Sequence, residues 1–166
     1  MKPSKRVIAS AFALCLAIGA NAQWTVINLH PPGATSSQAF GVNGGQQVGY
    51  AMVAGVPHAA LWNGTAASWV DLHPVGAANS HGYGVSGGQQ VGFVNSGGYI
   101  KASLWSGTAA SWVDLDTSGN PHSQAFCVNA GQQGGTETSS GTPRAALWSG
   151  SAGTLVTLPP AGVLFS

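Results

Sequence analysis

Two aspartates recur in register. Asp71 and Asp114 lie 43 residues apart, each inside a copied Ser-Trp-Val-Asp-Leu segment. Paired carboxylates are the equipment of glycoside hydrolysis, one as acid and one as base or nucleophile. The third copy, however, has Thr157 at that position, and each Asp is copied together with its neighbours. The role expected for both is a side chain that hydrogen-bonds a nearby turn. The histidines His30, His58, His73, His81 and His122 form no His-x-His or His-Glu-x-x-His pattern, and no cysteine pair supports them. A metal site is therefore not expected. His30 and His73 occupy one repeat position and each precedes proline, which assigns them to loops. No serine lies in a Gly-x-Ser-x-Gly elbow, and Gly44-Gly45 lacks the lysine and helix of a phosphate loop. No catalytic residue and no cofactor is assigned.

The binding candidates are of two kinds. His58, Lys101 and Arg144 are repeat-equivalent, each directly before Ala-Ala/Ser-Leu-Trp. Symmetry would set one cationic or near-cationic group per unit along one rim, to meet an acidic glycan or another protein. The plainer reading is a solvated strand start. Tyr83 and Tyr99 are aromatics that would serve a carbohydrate-binding module. Asn63-Gly64-Thr65 fits a glycosylation sequon, but Ser106 and Ser149 replace Asn63 in the other units, so a turn role is expected.

The elements that carry these residues repeat. Gln46-Gln47, Gln89-Gln90 and Gln132-Gln133 are spaced by 43, as are Trp62, Trp105 and Trp148. A second tryptophan series, Trp24, Trp69 and Trp112, is spaced by 45 and 43, with Leu155 in the next place. The two extra residues are assigned to the loop around Pro31 to Ser37. Each unit reads as four short strands. In the second these are Ser68 to Leu72, Gly82 to Ser86, Gln89 to Val94 and Lys101 to Trp105. Gly87-Gly88 turns the central hairpin. No stretch after residue 22 keeps a 3.6 period. Alternation is visible instead, with Trp69 and Asp71 on one face and Val70 and Leu72 on the other. Burying one tryptophan contributes roughly 4–6 kcal/mol as an upper bound. A unit of this size cannot cover two such rings alone, so neighbouring units must cover them.

The expected fold is therefore all-β: three four-stranded units of 43 residues forming an open or partial β-propeller. The units fall at roughly 24–67, 68–110 and 111–153, followed by a closing strand and stub at 154–166. A β-trefoil is the alternative. It needs twelve strands, and the leading Trp24 strand would make thirteen. Three blades are fewer than the usual minimum of about four. An open arc, a fragment of a larger propeller enzyme, or self-association that closes the ring would each accommodate that.

Composition restricts the partners. Lys2, Lys5 and Arg6, an apolar run from Val7 to Ala20, and Ala20-Asn21-Ala22 before Gln23 form the pattern of a secretory signal peptide, residues 1–22. The β-repeat domain is then 23–166, secreted, with no membrane span after cleavage. It keeps Lys101 and Arg144 against Asp71, Asp114, Asp116 and Glu137, a net charge of −2. No basic patch is present to neutralise phosphates, so nucleic acid is not expected as a partner. Cys127 is left without a second cysteine and is read as a small buried residue.

The pattern Gly-Val-Asn/Ser-Gly-Gly-Gln-Gln-Val-Gly-Tyr/Phe, followed by His58-Ala59-Ala60-Leu61-Trp62, resembles the HAF-type extracellular repeat of bacteria. The likeness covers all three units. Ala60, Ser103 and Ala146 stand where that family has Phe, and Lys101 and Arg144 where it has His. The resemblance implies an exported, propeller-like surface or matrix protein and assigns activity to no residue. The expected function is a non-enzymatic extracellular scaffold or adhesion module that meets a glycan or a cell-surface protein.

Overall fold

The computed structural model describes residues 25–116, 122–139 and 141–158. Twelve strands are present among them. They form three antiparallel meanders of four strands each. Sheet 1 holds β1 (Ser37–Asn43), β2 (Gln46–Val53), β3 (Val56–Trp62) and β4 (Val70–Asp71). Sheet 2 holds β5 (Asn79–Ser86), β6 (Gln89–Ser96), β7 (Tyr99–Trp105) and β8 (Val113–Asp114). Sheet 3 holds β9 (His122–Asn129), β10 (Gln132–Ser139), β11 (Thr142–Trp148) and β12 (Val156–Leu158). Sheets 2 and 3 touch edgewise at one parallel pair, Ile100 with His122. Successive meanders packed face to face are the arrangement of propeller blades, here an open arc, and not that of a trefoil.

The units are phased differently from the sequence reading. A boundary at Ser68 or Ser111 would cut the pairing of Leu61 with Val70 and of Leu104 with Val113. The Ser-Trp-Val-Asp-Leu strand is thus the fourth strand of its sheet and not the first of the next. β12 likewise belongs to sheet 3 through its pairing with β11. The leading strand expected at Trp24 lies outside the described residues, as do the signal segment and the stub beyond Leu158. Residues 25–36 contain no strand. The two-residue insertion precedes Asn28 and is not in the 31–37 loop. His30 Nδ1 lies 3.0 Å from Ser37 Oγ, and His73 Nδ1 makes the same contact with Ser80 Oγ at 2.8 Å one period later.

The tryptophans at 62, 105 and 148 are fully buried, and Trp105 and Trp148 are buried between sheets. Trp105 of sheet 2 shares a cluster with Ala59, Leu61 and Leu72 of sheet 1. Trp148 of sheet 3 lies with Leu104 and Leu115 of sheet 2. Trp62 is packed by Leu29 and Ala34, the residues one period before Leu72 and Ala77. The indole N–H groups of all three are buried without a hydrogen-bond partner. Each unmet donor costs about 1–3 kcal/mol, which is less than the apolar gain of the ring. Packing therefore decides the position.

Glycine lets the sheets approach. A methyl group on Gly84 would stand 2.8 Å from the Phe126 carbonyl oxygen of the next sheet, and one on Gly41 would stand 2.6 Å from that of Tyr83. Sheet 3 has Cys127 at this position, and Cys127 is exposed, contrary to the buried residue expected. Two facts explain it. No further sheet lies against β9 among the described residues, so a side chain fits. Its cross-strand partner has also changed: Gly41 faces Val48 and Gly84 faces Val91, whereas Cys127 faces Gly134. A methyl group on Gly134 would stand 2.8 Å from Cys127 Sγ, so the cysteine fills the space that valine fills elsewhere.

Replacing Trp105 by Ala should lower the unfolding free energy by about 3–5 kcal/mol, the cost of a large-to-small change in a core. A denaturant melt reads it, and a loss under about 1 kcal/mol would contradict burial between sheets.

Candidate functional site

The repeated polar residues hold the framework. Gln90 Oε1 accepts from Gly107 N at 2.8 Å while its Nε2 donates to Gly88 O at 2.9 Å. Gln133 does the same with Gly150 and Gly131. One buried amide thus ties a hairpin turn to the turn after the next strand. Ser68 Oγ accepts from Asn63 N at 2.8 Å and donates to Thr65 O at 2.7 Å, fixing the short 3₁₀ turn Ala66–Ser68. The Asn63 sequon is part of that turn.

A second polar set crosses from sheet to sheet. Ser80 Oγ, on β5, accepts from Ala59 N of β3 at 2.8 Å, and Ser123 Oγ accepts from Ala102 N at 2.8 Å. Both serines are buried. His73 Nε2 lies 3.2 Å from Ala77 O, which only accepts, so Nε2 carries the proton. Nδ1 is then free to accept from the Ser80 hydroxyl. Asp71 Oδ1 accepts from His73 N at 2.8 Å, and its Oδ2 meets His58 Nδ1 at 2.8 Å. The His58 and His73 rings stack with centroids 4.0 Å apart. Between sheets 2 and 3 the same positions hold Lys101, Asp114 and Asp116. Lys101 Nζ donates to Asp114 Oδ2 at 2.6 Å, and Asp114 Oδ1 accepts from Asp116 N at 2.9 Å.

Ser80, His73 and Asp71 are not assembled for nucleophilic catalysis. The serine is buried and already accepts a backbone N–H, and the carboxylate bonds the backbone N–H of His73 rather than its ring. Among the described residues no group of three potential metal ligands is present.

The predicted rim resolves into separate pairs. His58, Lys101 and Arg144 stand on β3, β7 and β11 of three different sheets. His58 and Lys101 are half-buried and each engages the aspartate 13 residues on. Arg144 has Thr157 in that place and lies across the strand pair from buried Glu137. Tyr99 is exposed at the start of β7. Tyr83 lies elsewhere, inside an aromatic band that the sequence reading did not assemble.

That band rests on three β-bulges. The register skips one residue between Ala39 and Gly41, between Gly82 and Gly84, and between Ala125 and Cys127. The skipped residues are Phe40, Tyr83 and Phe126, spaced by 43. A bulge frees one residue from the ladder and re-aims its side chain. Gly92 faces the bulge because a methyl group there would collide with the His81 carbonyl. The Tyr83 ring sits 5.6 Å from Phe40 and 5.5 Å from Phe126, centroid to centroid. His81 stacks on Phe93 at 5.0 Å and meets Tyr50 at 4.6 Å. Burial raises the Tyr83 phenol above its ordinary range and lowers His81 below its own. The 43-residue recurrence was the available signal for this ladder.

No family model matches the chain, and no curated protein matches it. Among solved structures it is similar to TolB from Acinetobacter baumannii, with a TM-score of 0.56 and 14% identity. The match covers 79% of this chain and 34% of that one, so the chain spans about a third of that protein's length. The likeness supports a partial propeller-like fold and says nothing of activity. No helix among the described residues is long and apolar enough to cross a membrane.

His73 is held below its ordinary value of 6.5 by burial and by the neighbouring His58, against the pull of Ala77 O and Asp71. The folded state thus prefers the neutral ring, and protonation favours the unfolded chain. The contribution is complete above about pH 6.5 and is lost as pH falls through the lower folded value. The urea midpoint should drop between pH 7 and pH 5, and His73→Gln should flatten part of that slope, His81 keeping the rest. Equal slopes for the two proteins would contradict it.

Proposed function

We propose that the protein is an exported, non-enzymatic repeat protein of the HAF kind, acting outside the cell as a scaffold or adhesion module. The observation that carries this reading is the use made of the repeated polar side chains. Gln90 and Gln133 tie turns, Ser80 and Ser123 join sheets, and Asp71 and Asp114 hold backbone and a neighbouring His58 or Lys101 side chain. The polar residues that recur thereby serve the framework, as a protein selected for surface rather than turnover requires. The signal-peptide pattern of residues 1–22 supports export.

A carbohydrate-binding module is the second reading, and the bulge-borne rings favour it. Phe40 and Phe126 are each about half exposed, 49% and 45%, on one continuous aromatic band. Sugar C–H faces stack on such rings. Tyr83 and Tyr99 enter this reading unequally: the first is within the band, the second apart from it. The His58, Lys101 and Arg144 set suits an acidic glycan less well, since two of the three side chains already face carboxylates.

Producing cells should carry the protein beyond the cytoplasmic membrane with Gln23 as first residue, and labelled protein should bind intact cells saturably. A cytoplasmic, uncleaved protein without saturable binding would contradict the proposal. A defined sugar bound on a glycan array, and lost in Phe126→Ala, would transfer the function to the second reading.

A further inference from the structure

The interface between sheets occurs twice within the chain, and both of its halves are open elsewhere. On the trailing side, Ala59 and Ala102 are fully buried by the next sheet, whereas Ala145 is exposed. Leu72 and Leu115 are 0% exposed, and their equivalent Leu158 is 55% exposed. On the leading side, Val85 and Val128 are 7% and 8% exposed, and their equivalent Val42 is 73% exposed. Ala125 is buried in the joint between sheets 2 and 3, and its equivalent Ala39 is exposed. The aromatic ladder stops in half-exposed rings at both ends, Phe40 and Phe126. One copy thus presents both complementary halves of a joint it already makes internally.

A second observation identifies what completes the joint. Residues 25–29 are the repeat equivalent of the fourth strand, with Asn28 for Asp71 and Leu29 for Leu72. They pair with no strand among the described residues, and Val26 is 96% exposed. The fourth strand of sheet 3 departs from the repeat, with Leu155 for tryptophan and Thr157 for aspartate. We propose that the protein assembles head-to-tail with a second copy of itself, sheet 1 of one copy seated on sheet 3 of the other. Residues 25–29 travel with sheet 1, since Leu29 already packs Trp62. Leu29 and Leu158 are one repeat position, so residues 25–29 take the place beside β11 that β12 holds here. Two such joints close a ring of six sheets, within the usual range of about four to eight for a propeller. Cys127 has a side chain where the internal joints have glycine, so the closing joint stands wider there.

The assembly is independent of what the protein binds, and its test reads mass alone. Light scattering on the purified protein should give twice the chain mass. Ala145→Arg and Val42→Glu alter exposed residues on the trailing and leading faces, so both variants should fold, by circular dichroism, and each should be monomeric. An equimolar mixture of the two should recover the dimer, because one joint then pairs two unaltered faces. A wild-type monomer, whether the face stays open or is covered by residues beyond Leu158, overturns the proposal. So does a dimer that survives either substitution, or a mixture that stays monomeric.

Discussion

The structure depends on indole rings that no sheet can bury by itself. Trp105 is sealed by Ala59, Leu61 and Leu72 of the sheet before it, and Trp148 by Leu104 and Leu115. Each four-stranded meander is therefore stable as a neighbour rather than as a unit. The unmet indole N–H groups show how far packing outweighs polar satisfaction at these positions. Close approach follows from the same demand. Gly41 and Gly84 admit the backbone of the next sheet where any side chain would push it away.

Around that apolar joint, one polar scheme is realised with two chemistries. Between sheets 1 and 2, neutral His73 takes the Ser80 hydroxyl and stacks on His58. Between sheets 2 and 3, Lys101, Asp114 and Asp116 stand in the same places. Burial raises the Asp116 carboxyl above its ordinary range, with the Ser123 hydrogen bond and Lys101 opposing. The first joint is built on stacked imidazole rings and the second on an ion pair. In both, the buried serine accepts a backbone N–H from the preceding sheet, which couples polar register to apolar contact.

Much of this was legible in the sequence. The 43-residue recurrence of Trp62, Trp105 and Trp148 identified the buried ring and the repeat. Gly87-Gly88 identified a hairpin turn, and both residues have positive φ, 59° and 79°. Phase was not legible, because periodicity fixes the length of a unit and not where its hydrogen-bonded sheet begins. Cys127 was misjudged by comparing it with Gly41 and Gly84 alone. The decisive fact was its pairing with Gly134, which requires strand register. The rim of His58, Lys101 and Arg144 was read as free charge because the sequence shows Asp71 and Asp114 as separate features. Only the pairing of β3 with β4 and of β7 with β8 brings Asp71 to His58 and Asp114 to Lys101. The aromatic ladder was missed because a bulge overturns the alternation by which faces are assigned.

The central claim is that sheets stabilise one another through the tryptophan clusters. A double-mutant cycle on Leu61→Ala and Trp105→Ala, one residue from each side of the first joint, tests it directly. Mutual burial predicts a coupling of about 1 kcal/mol or more in urea unfolding. Losses that add within about 0.5 kcal/mol would mean that the two sheets fold without leaning on each other.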